Sequence, residues 1–378
     1  MLKESRKMRI IADDTIPYLK GIAEPVAEVT YLDSKSFTPE RVKEADVLIV
    51  RSIDKCTPAL LAGSRVKLIT TATIGFDHID THYCEQTGIV WKNAPGCNAA
   101  SVAQYVLAGL VTLSLRTGVP LRGKTIGIVG VGHVGRIVEN HCQAMGMRVL
   151  RNDPPRAAVE GTDGFASLEQ IAEEADVITL HVPFTKEGRY PTYHLVDAHL
   201  LQRLAKRPWL FNSCRGAVHD TEALLTAKRT GKVSELVLDC WEHEPTISRE
   251  LLAMTTLATP HIAGFSADGK ANGTRACLQA IEQCFDVHFE RLPLVQPPAP
   301  QDPLIDLDHW TTHRIEQAIL HTFSPERVDR TLRADPDGFE WQRNHYAHPR
   351  EFSAYQVRHA TVEEANCLHQ LGFNLLDA

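Results

Sequence analysis

At 378 residues the chain is longer than a single hydrophobic core usually serves, and domains of about 100–150 residues predict two or three of them. Hydrophobic residues at 43% and charged residues at 23% describe a globular protein with a substantial core and exclude a disordered or fibrous chain. The net charge of −7 argues against nonspecific nucleic-acid binding, so an anionic ligand has to be met by local basic groups.

In chain order, the start Met1 to Lys7 is charged with no apolar run behind it, which argues against a signal peptide. Met8–Ala12, Val47–Val50 and Val66–Thr71 read as buried strands separated by helical patterns, the signature of parallel strands with crossover helices. A long, mostly apolar helix is expected from Ala99 to Leu115, ending near Thr117-Gly118 ahead of Pro120. Its best candidate for a membrane span, Val106–Leu115, is far shorter than the roughly 18 uninterrupted apolar residues one needs. A second series of strands follows: Thr125–Val129, Met147–Leu150, Asp176–His181, Trp209–Asn212 and Glu235–Leu238. Each precedes a loop and a helix, which suggests a doubly wound sheet. Five of the eleven residues from Pro293 to Pro303 are proline, a semi-rigid linker and a domain boundary. Beyond it, eight aromatic residues between Trp310 and Phe373 predict a tail that folds or docks. The fold expected is α/β, with two doubly wound parallel-sheet lobes and a C-terminal α+β domain. Nine cysteines without a Cys-x-x-Cys pair point to reduced, mostly buried thiols and to no metal site. The expectation is a cytoplasmic protein with no nucleic-acid or membrane partner.

Gly130-Val-Gly132-His133-Val134-Gly135 matches Gly-x-Gly-x-x-Gly, a weak signal by itself. Here it follows a strand and opens a helix, and Asp153 ends the next strand 18 residues after Gly135. Glycines let the chain turn tightly and approach a pyrophosphate, and the helix N-terminus offers unpaired N–H groups. Asp153 would accept from both ribose hydroxyls and repel a 2′-phosphate, which selects NAD over NADP. The alternative is a glycine-rich turn without function beside a solvated aspartate.

Three further segments place polar groups just past apolar strands: Asn212-Ser213-Cys214-Arg215, Asp239-Cys-Trp-Glu-His-Glu244 and Thr259-Pro-His261-Ile-Ala-Gly264. Oxidising a 2-hydroxy acid needs a base for the hydroxyl proton and a cation for the carboxylate. Histidine suits the first because its ordinary pKa of about 6.5 lies near working pH, and arginine suits the second with its planar fork. For each residue alone, a surface ion pair, a helix cap or a satisfied core histidine is the competing reading.

These segments resemble the D-isomer-specific 2-hydroxyacid dehydrogenase family across roughly residues 8–290, with 29 residues from Arg215 to Glu244 and 17 onward to His261. The resemblance implies that Arg215 binds and polarises substrate, His261 is the acid/base and Glu244 supports it. It implies a substrate domain at 1–100 with a return segment at about 264–290, an NAD-binding Rossmann domain at 101–263, and an active site in the cleft between the lobes. Arg51-Ser52, Thr71-Ala-Thr73 and Asn93-Ala-Pro-Gly-Cys97 in the first lobe, with Arg350-Glu-Phe-Ser353 and Leu371-Gly-Phe-Asn374 in the tail, are similar to one branch of the family. That branch acts on a phosphorylated 2-hydroxy acid and is a homodimer through a C-terminal dimerisation domain, here 291–378. By this resemblance Ser52 and Thr73 contact substrate, while Asp153, Val182, Ser213, Cys214, Arg215, Asp239 and Gly264 border the cofactor. Arg51 is added on physical grounds as a phosphate clamp. One departure is Phe265, where the branch has a substrate-contacting tyrosine. Dehydrogenases of the same fold acting on 3-phosphoglycerate or hydroxypyruvate, and an NAD(H)-sensing binding protein without turnover, are the alternative readings.

Overall fold

The computed structural model describes residues 6–376, so most of the charged start, Met1 to Ser5, lies outside the described residues. The chain forms two compact units: residues up to Asn98 with Ala267–Pro298, and Ala99–Ser266 with the chain from Ala299 onward.

The first unit is built on five parallel strands, β1 (Met8–Asp13), β2 (Ala27–Leu32), β3 (Val47–Val50), β4 (Leu68–Thr71) and β5 (Val90–Lys92), in the order β2-β1-β3-β4-β5. All four residues of β3 and of β4 are buried, as expected of central strands covered on both faces. The edge strands β2 and β5 alternate buried or half-buried with exposed positions and carry no apolar run, which is why sequence patterning does not reveal them. The returning helix Ala267–Phe285 buries Ala271, Cys277, Leu278 and Ile281 against Ile10, Ile49 and Leu68. It approaches the end of β4 so closely that a Cβ on Gly273 would sit 2.7 Å from the Ala72 carbonyl oxygen.

The second unit holds six parallel strands: β6 (Thr125–Val129), β7 (Arg148–Asn152), β8 (Val177–Leu180), β9 (Trp209–Asn212), β10 (Leu236–Leu238) and β11 (Leu257–Ala258), in the order β11-β10-β9-β8-β6-β7. The winding direction reverses between β6 and β8, the switch point where doubly wound sheets bind their ligands. Helix Ala99–Thr117 is long and apolar enough to cross a membrane by length and composition, but 78% of its apolar window is buried inside the protein. It is a core helix, fitted against the sheet so tightly that a Cβ on Gly109 would lie 2.8 Å from the Phe211 ring.

The C-terminal segment adds a small parallel sheet, β12 (Leu304–Asp306), β13 (Gln356–Arg358) and β14 (Asn374–Leu375), with helices Arg314–Thr322, Pro325–Ala334, Phe339–Asn344 and Val362–Leu371. Ile319, Phe323, Phe352, Leu368 and Phe373 share one apolar core with Val106, Leu110 and Ile126. Arg333 donates to the Leu252 carbonyl at 2.7 Å, and the Asp329 carboxylate accepts from the Ala258 amide at 2.8 Å. The tail thus covers the otherwise open edge of β11, whose unpaired backbone would invite association.

Candidate active site

The fingerprint loop leaves β6 at the switch point and enters the 12-residue helix His133–Ala144, whose cap residue Gly132 has no side chain to satisfy the first N–H groups. Space dictates its glycines individually. A Cβ on Gly135 would lie 2.2 Å from the Gly130 oxygen, and one on Gly130 would meet the His181 carbonyl and the Val182 amide at 2.7–2.9 Å. At Gly132 a Cβ would meet nothing of the protein within 4 Å, so the loop presents bare backbone to open space there, with His133 and Val134 next in the helix. The Asp153 carboxylate caps the helix after β7 through the Arg156 amide at 3.1 Å and holds the loop through the Val131 amide at 2.9 Å. Those two bonds leave half of a carboxylate's accepting capacity for a ribose. Arg156, which would otherwise offer a cation to a 2′-phosphate, is engaged bidentately by Glu160 at 2.7 Å and donates to the Val131 carbonyl. Past β9, the Ser213 hydroxyl oxygen is buried without a hydrogen-bond partner. An open glycine cradle, a carboxylate with accepting capacity to spare and an orphaned hydroxyl fit NAD.

The loops after β9, β10 and β11 carry Arg215, Glu244 and His261. The Glu244 carboxylate accepts from His261 Nδ1 and from the Trp241 amide, each at 2.7 Å. Burial works to raise the Glu244 carboxyl, but hydrogen bonding to His261, the charge of that ring, the Trp241 amide and the charge of Arg343 outweigh it and hold the group below its usual range. With Nδ1 donating to Glu244, the ring nitrogen Nε2 is left to exchange a proton with a ligand. His261 has φ of +55°, a left-handed conformation, and the backbone around it is fixed from below. Its amide donates to the Asp239 carbonyl at 2.8 Å, and the wholly buried Asp239 carboxylate accepts from the Thr259 hydroxyl, the Ile262 amide and the Ala263 amide at 2.6–2.9 Å. The Tyr105 hydroxyl joins Thr259 at 2.7 Å, and the Trp241 indole donates to the Thr259 carbonyl at 3.0 Å. Asp239 therefore shapes the His261 loop, and Tyr105, Thr259 and Trp241 are supports that the sequence did not single out.

Arg215 is exposed at its own loop, where one guanidinium nitrogen donates to the Cys214 carbonyl at 2.7 Å; among the described residues it forms no ion pair with a carboxylate. The backbone there is tightly apposed, since a Cβ on Gly216 would overlap the Trp241 carbonyl. Cys240 Sγ lies within 4.8 Å of ligand atoms of both Glu244 and His261, a spacing that could suit a metal ion. Burial, reinforced by Asp239 and Glu244, pushes that thiol well above its ordinary value, which works against a thiolate ligand, and Glu244 already holds His261 Nδ1.

In the first unit Arg51, Ser52 and Thr73 follow the C-terminal ends of β3 and β4. The Arg51 Nε faces the buried Asp13 carboxylate at 3.3 Å, Ser52 is exposed, and the Thr73 hydroxyl bonds Thr71 at 2.7 Å and the Gly75 carbonyl at 2.8 Å. Gly264 and Phe265 continue the His261 loop in the second unit; the Phe265 ring lies edge-on to His348 at 5.8 Å, with the Arg343 guanidinium 5.6 Å from its centroid. Nothing in the sequence pointed to Arg343 or His348, which stand about 80 residues further along in the tail.

A glycine cradle at the switch point of a Rossmann sheet, with a carboxylate-supported histidine and an exposed arginine on loops that follow later strands of the same sheet, defines a nicotinamide-dependent dehydrogenase. The family model for the D-isomer specific 2-hydroxyacid dehydrogenase NAD binding domain matches residues 98–263, and a domain of unknown function matches 298–372. The chain is 53% identical to an erythronate-4-phosphate dehydrogenase of Porphyromonas gingivalis over 97% of this chain and 100% of the relative. It is 50% identical to an erythronate-4-phosphate dehydrogenase of Bacteroides thetaiotaomicron over 93% of this chain and 99% of the relative. Among solved structures, 3-phosphoglycerate dehydrogenase of Entamoeba histolytica with bound NAD aligns with a TM-score of 0.61 at 29% identity, covering 75% of this chain and 98% of its own. D-lactate dehydrogenase of Aquifex aeolicus, in complex with NAD and lactic acid, aligns with a TM-score of 0.59 at 26% identity, covering 77% and 100%. The chain belongs to the D-isomer specific 2-hydroxyacid dehydrogenase family; it is an oxidoreductase, and its cofactor is NAD.

Proposed function

We propose that this protein oxidises 4-phospho-D-erythronate to 2-oxo-3-hydroxy-4-phosphobutanoate, a step in the synthesis of pyridoxal phosphate, in the cytoplasm and as a homodimer. The observation that carries the reading is the Glu244–His261 pair at 2.7 Å, set at the end of a Rossmann sheet in a chain that shares half its residues with erythronate-4-phosphate dehydrogenases along nearly its whole length.

In this reading Arg215 turns its fork from the Cys214 carbonyl to the substrate carboxylate, fixing C2 and polarising its oxygen. His261 Nε2 takes the C2 hydroxyl proton, and the Glu244 carboxylate stabilises the imidazolium that forms. When bound, NAD accepts the hydride that leaves C2. Asp239 holds the His261 loop against drift, keeping the ring in reach of the hydroxyl. The glycines 130, 132 and 135, the N-terminal residues His133 and Val134, Asp153, Val182, the Ser213–Arg215 backbone and Gly264 hold the cofactor. Ser52 and Thr73 supply short donors to substrate oxygens, Arg51 a charge, and Phe265 an aromatic wall.

The test is NADH absorbance with 4-phospho-D-erythronate, 3-phosphoglycerate and glycerate side by side, each with NAD and NADP. The expected result is the highest kcat/KM for 4-phospho-D-erythronate with NAD. Faster turnover of 3-phosphoglycerate would overturn the substrate, and equal use of NADP the role of Asp153.

A further inference from the structure

Arg343 belongs to the tail helix Phe339–Asn344 and is only half-buried, yet its Nε is sealed from solvent and has no hydrogen-bond partner. Among the described residues no carboxylate lies within ion-pair distance of it. An unpaired guanidinium donor away from water is costly, so one left in a folded protein calls for a completing partner such as a water, an ion or a ligand. What surrounds this one is the acid/base loop. Its guanidinium stands over Phe265, four residues past His261, and its charge is among those that hold the Glu244 carboxyl low. Phe265 in turn borders a small recess with Tyr346 and with Tyr105, which bonds the Thr259 hydroxyl beneath His261.

A phosphorylated 2-hydroxy acid has two anionic ends, and a single arginine fork satisfies one of them. Arg215, on the loop after β9, is the cation for the carboxylate beside the reacting carbon. Arg51, the other candidate for the phosphate, likewise has an Nε without a hydrogen bond, but the buried Asp13 carboxylate 3.3 Å away balances its charge, whereas Arg343 has no such counter-ion among the described residues. We infer that Arg343, supplied by the C-terminal segment, is a specificity residue that takes the substrate's phosphate, so that the tail completes the active site as well as covering the core. The inference rests on the proposed reaction, but only on its phosphorylated 2-hydroxy acid class.

Full-length Arg343→Gln and Arg343→Lys are compared with wild type on 4-phospho-D-erythronate and D-erythronate, and on 3-phosphoglycerate and D-glycerate. The readouts are kcat/KM and the dissociation constant of each acid from NADH-loaded protein by titration calorimetry. The expected result is that Arg343→Gln lowers the preference for the phosphorylated member of a pair by about 10- to 100-fold, the range of one charge-assisted hydrogen bond. Lysine should restore part of it, and NADH affinity and Tm should stay at wild-type values. An unchanged preference overturns the inference. So does an equal loss with both members of a pair, which would assign Arg343 to the carboxylate or to packing. If wild type favours the 3-phosphoglycerate pair, the proposed substrate falls while the phosphate preference still reports on Arg343; the calorimetric arm reads that preference even without turnover.

Discussion

His261 spends about 1–2 kcal/mol on a left-handed backbone uncommon outside glycine, and seven hydrogen bonds involving Asp239, Thr259 and Glu244 hold the loop there. The strain aims the ring, with Nδ1 on Glu244 and Nε2 outward. Glutamine preserves the size of the side chain and its hydrogen bonding but cannot carry the proton. His261→Gln is expected to lower kcat by about 10²–10⁴-fold while leaving the NADH dissociation constant near its wild-type value. Stopped-flow measurement of NADH formation checks the first and fluorescence titration the second; near-normal turnover would remove His261 from the mechanism.

The strand–turn–helix from β6 through His133–Ala144 separates two uses of glycine. Gly135 is required by the fold, because a Cβ there would meet the Gly130 oxygen at 2.2 Å, a backbone atom that cannot swing aside. Gly132 has open space at the same position, so its smallness serves only what binds there. Gly135→Ala should therefore lower Tm and abolish NADH binding together. Gly132→Ala should keep the wild-type Tm and weaken NADH by about tenfold or more, a loss of 1.4 kcal/mol or greater. Differential scanning fluorimetry beside a fluorescence titration reads both, and equal effects of the two substitutions would show that the loop is not the pyrophosphate cradle.

Across the whole molecule, buried histidines couple stability to pH. Burial lowers His141 and His219 to about 4, so both are neutral in the folded state, whereas the unfolded chain binds protons near the ordinary value of about 6.5. Their contribution is fully present above about pH 6.5 and is lost as pH falls toward about 4, because the unfolded state takes up protons that the folded state refuses. The loss should reach about 1.4 kcal/mol per pH unit for each histidine within that window. Urea titrations at half-unit steps from pH 7.5 to 4.5 measure it, and His141→Phe should flatten the slope. Removal of the chain after Pro298 acts on the same unit. Phe323, Phe352, Leu368 and Phe373 each contribute about 1.5–3 kcal/mol by burial, so their loss uncovers helix Ala99–Thr117 at a cost comparable to a domain's net stability of about 5–15 kcal/mol. The truncated protein is expected to aggregate or melt far earlier in light-scattering and thermal scans; a stable truncated dimer of unchanged assembly state would show that the tail is neither core nor dimer contact.

Local rules were enough to read the central elements from the residues. Val47–Val50, Thr125–Val129 and Trp209–Asn212 are apolar runs bounded by turns, and each is a strand with those bounds, because a strand buried on both faces needs no neighbour to explain its composition. The glycine spacing and Asp153 were legible for the same reason, since turn, helix start and following strand lie within one stretch of chain. Edge strands β2, β5 and β11 were not, because short or half-exposed strands are specified by their pairing partners and carry little pattern of their own. The sequence determined which groups could do the chemistry; only the tertiary structure decided how they are held. Asp239 reaches from β10 under a loop some twenty residues away, and Arg343 comes to the same loop from about eighty residues beyond it. Contacts of that range are fixed by the packing of whole layers, since a side chain's partner is set by where the sheet and the tail carry it and not by its neighbours in the chain.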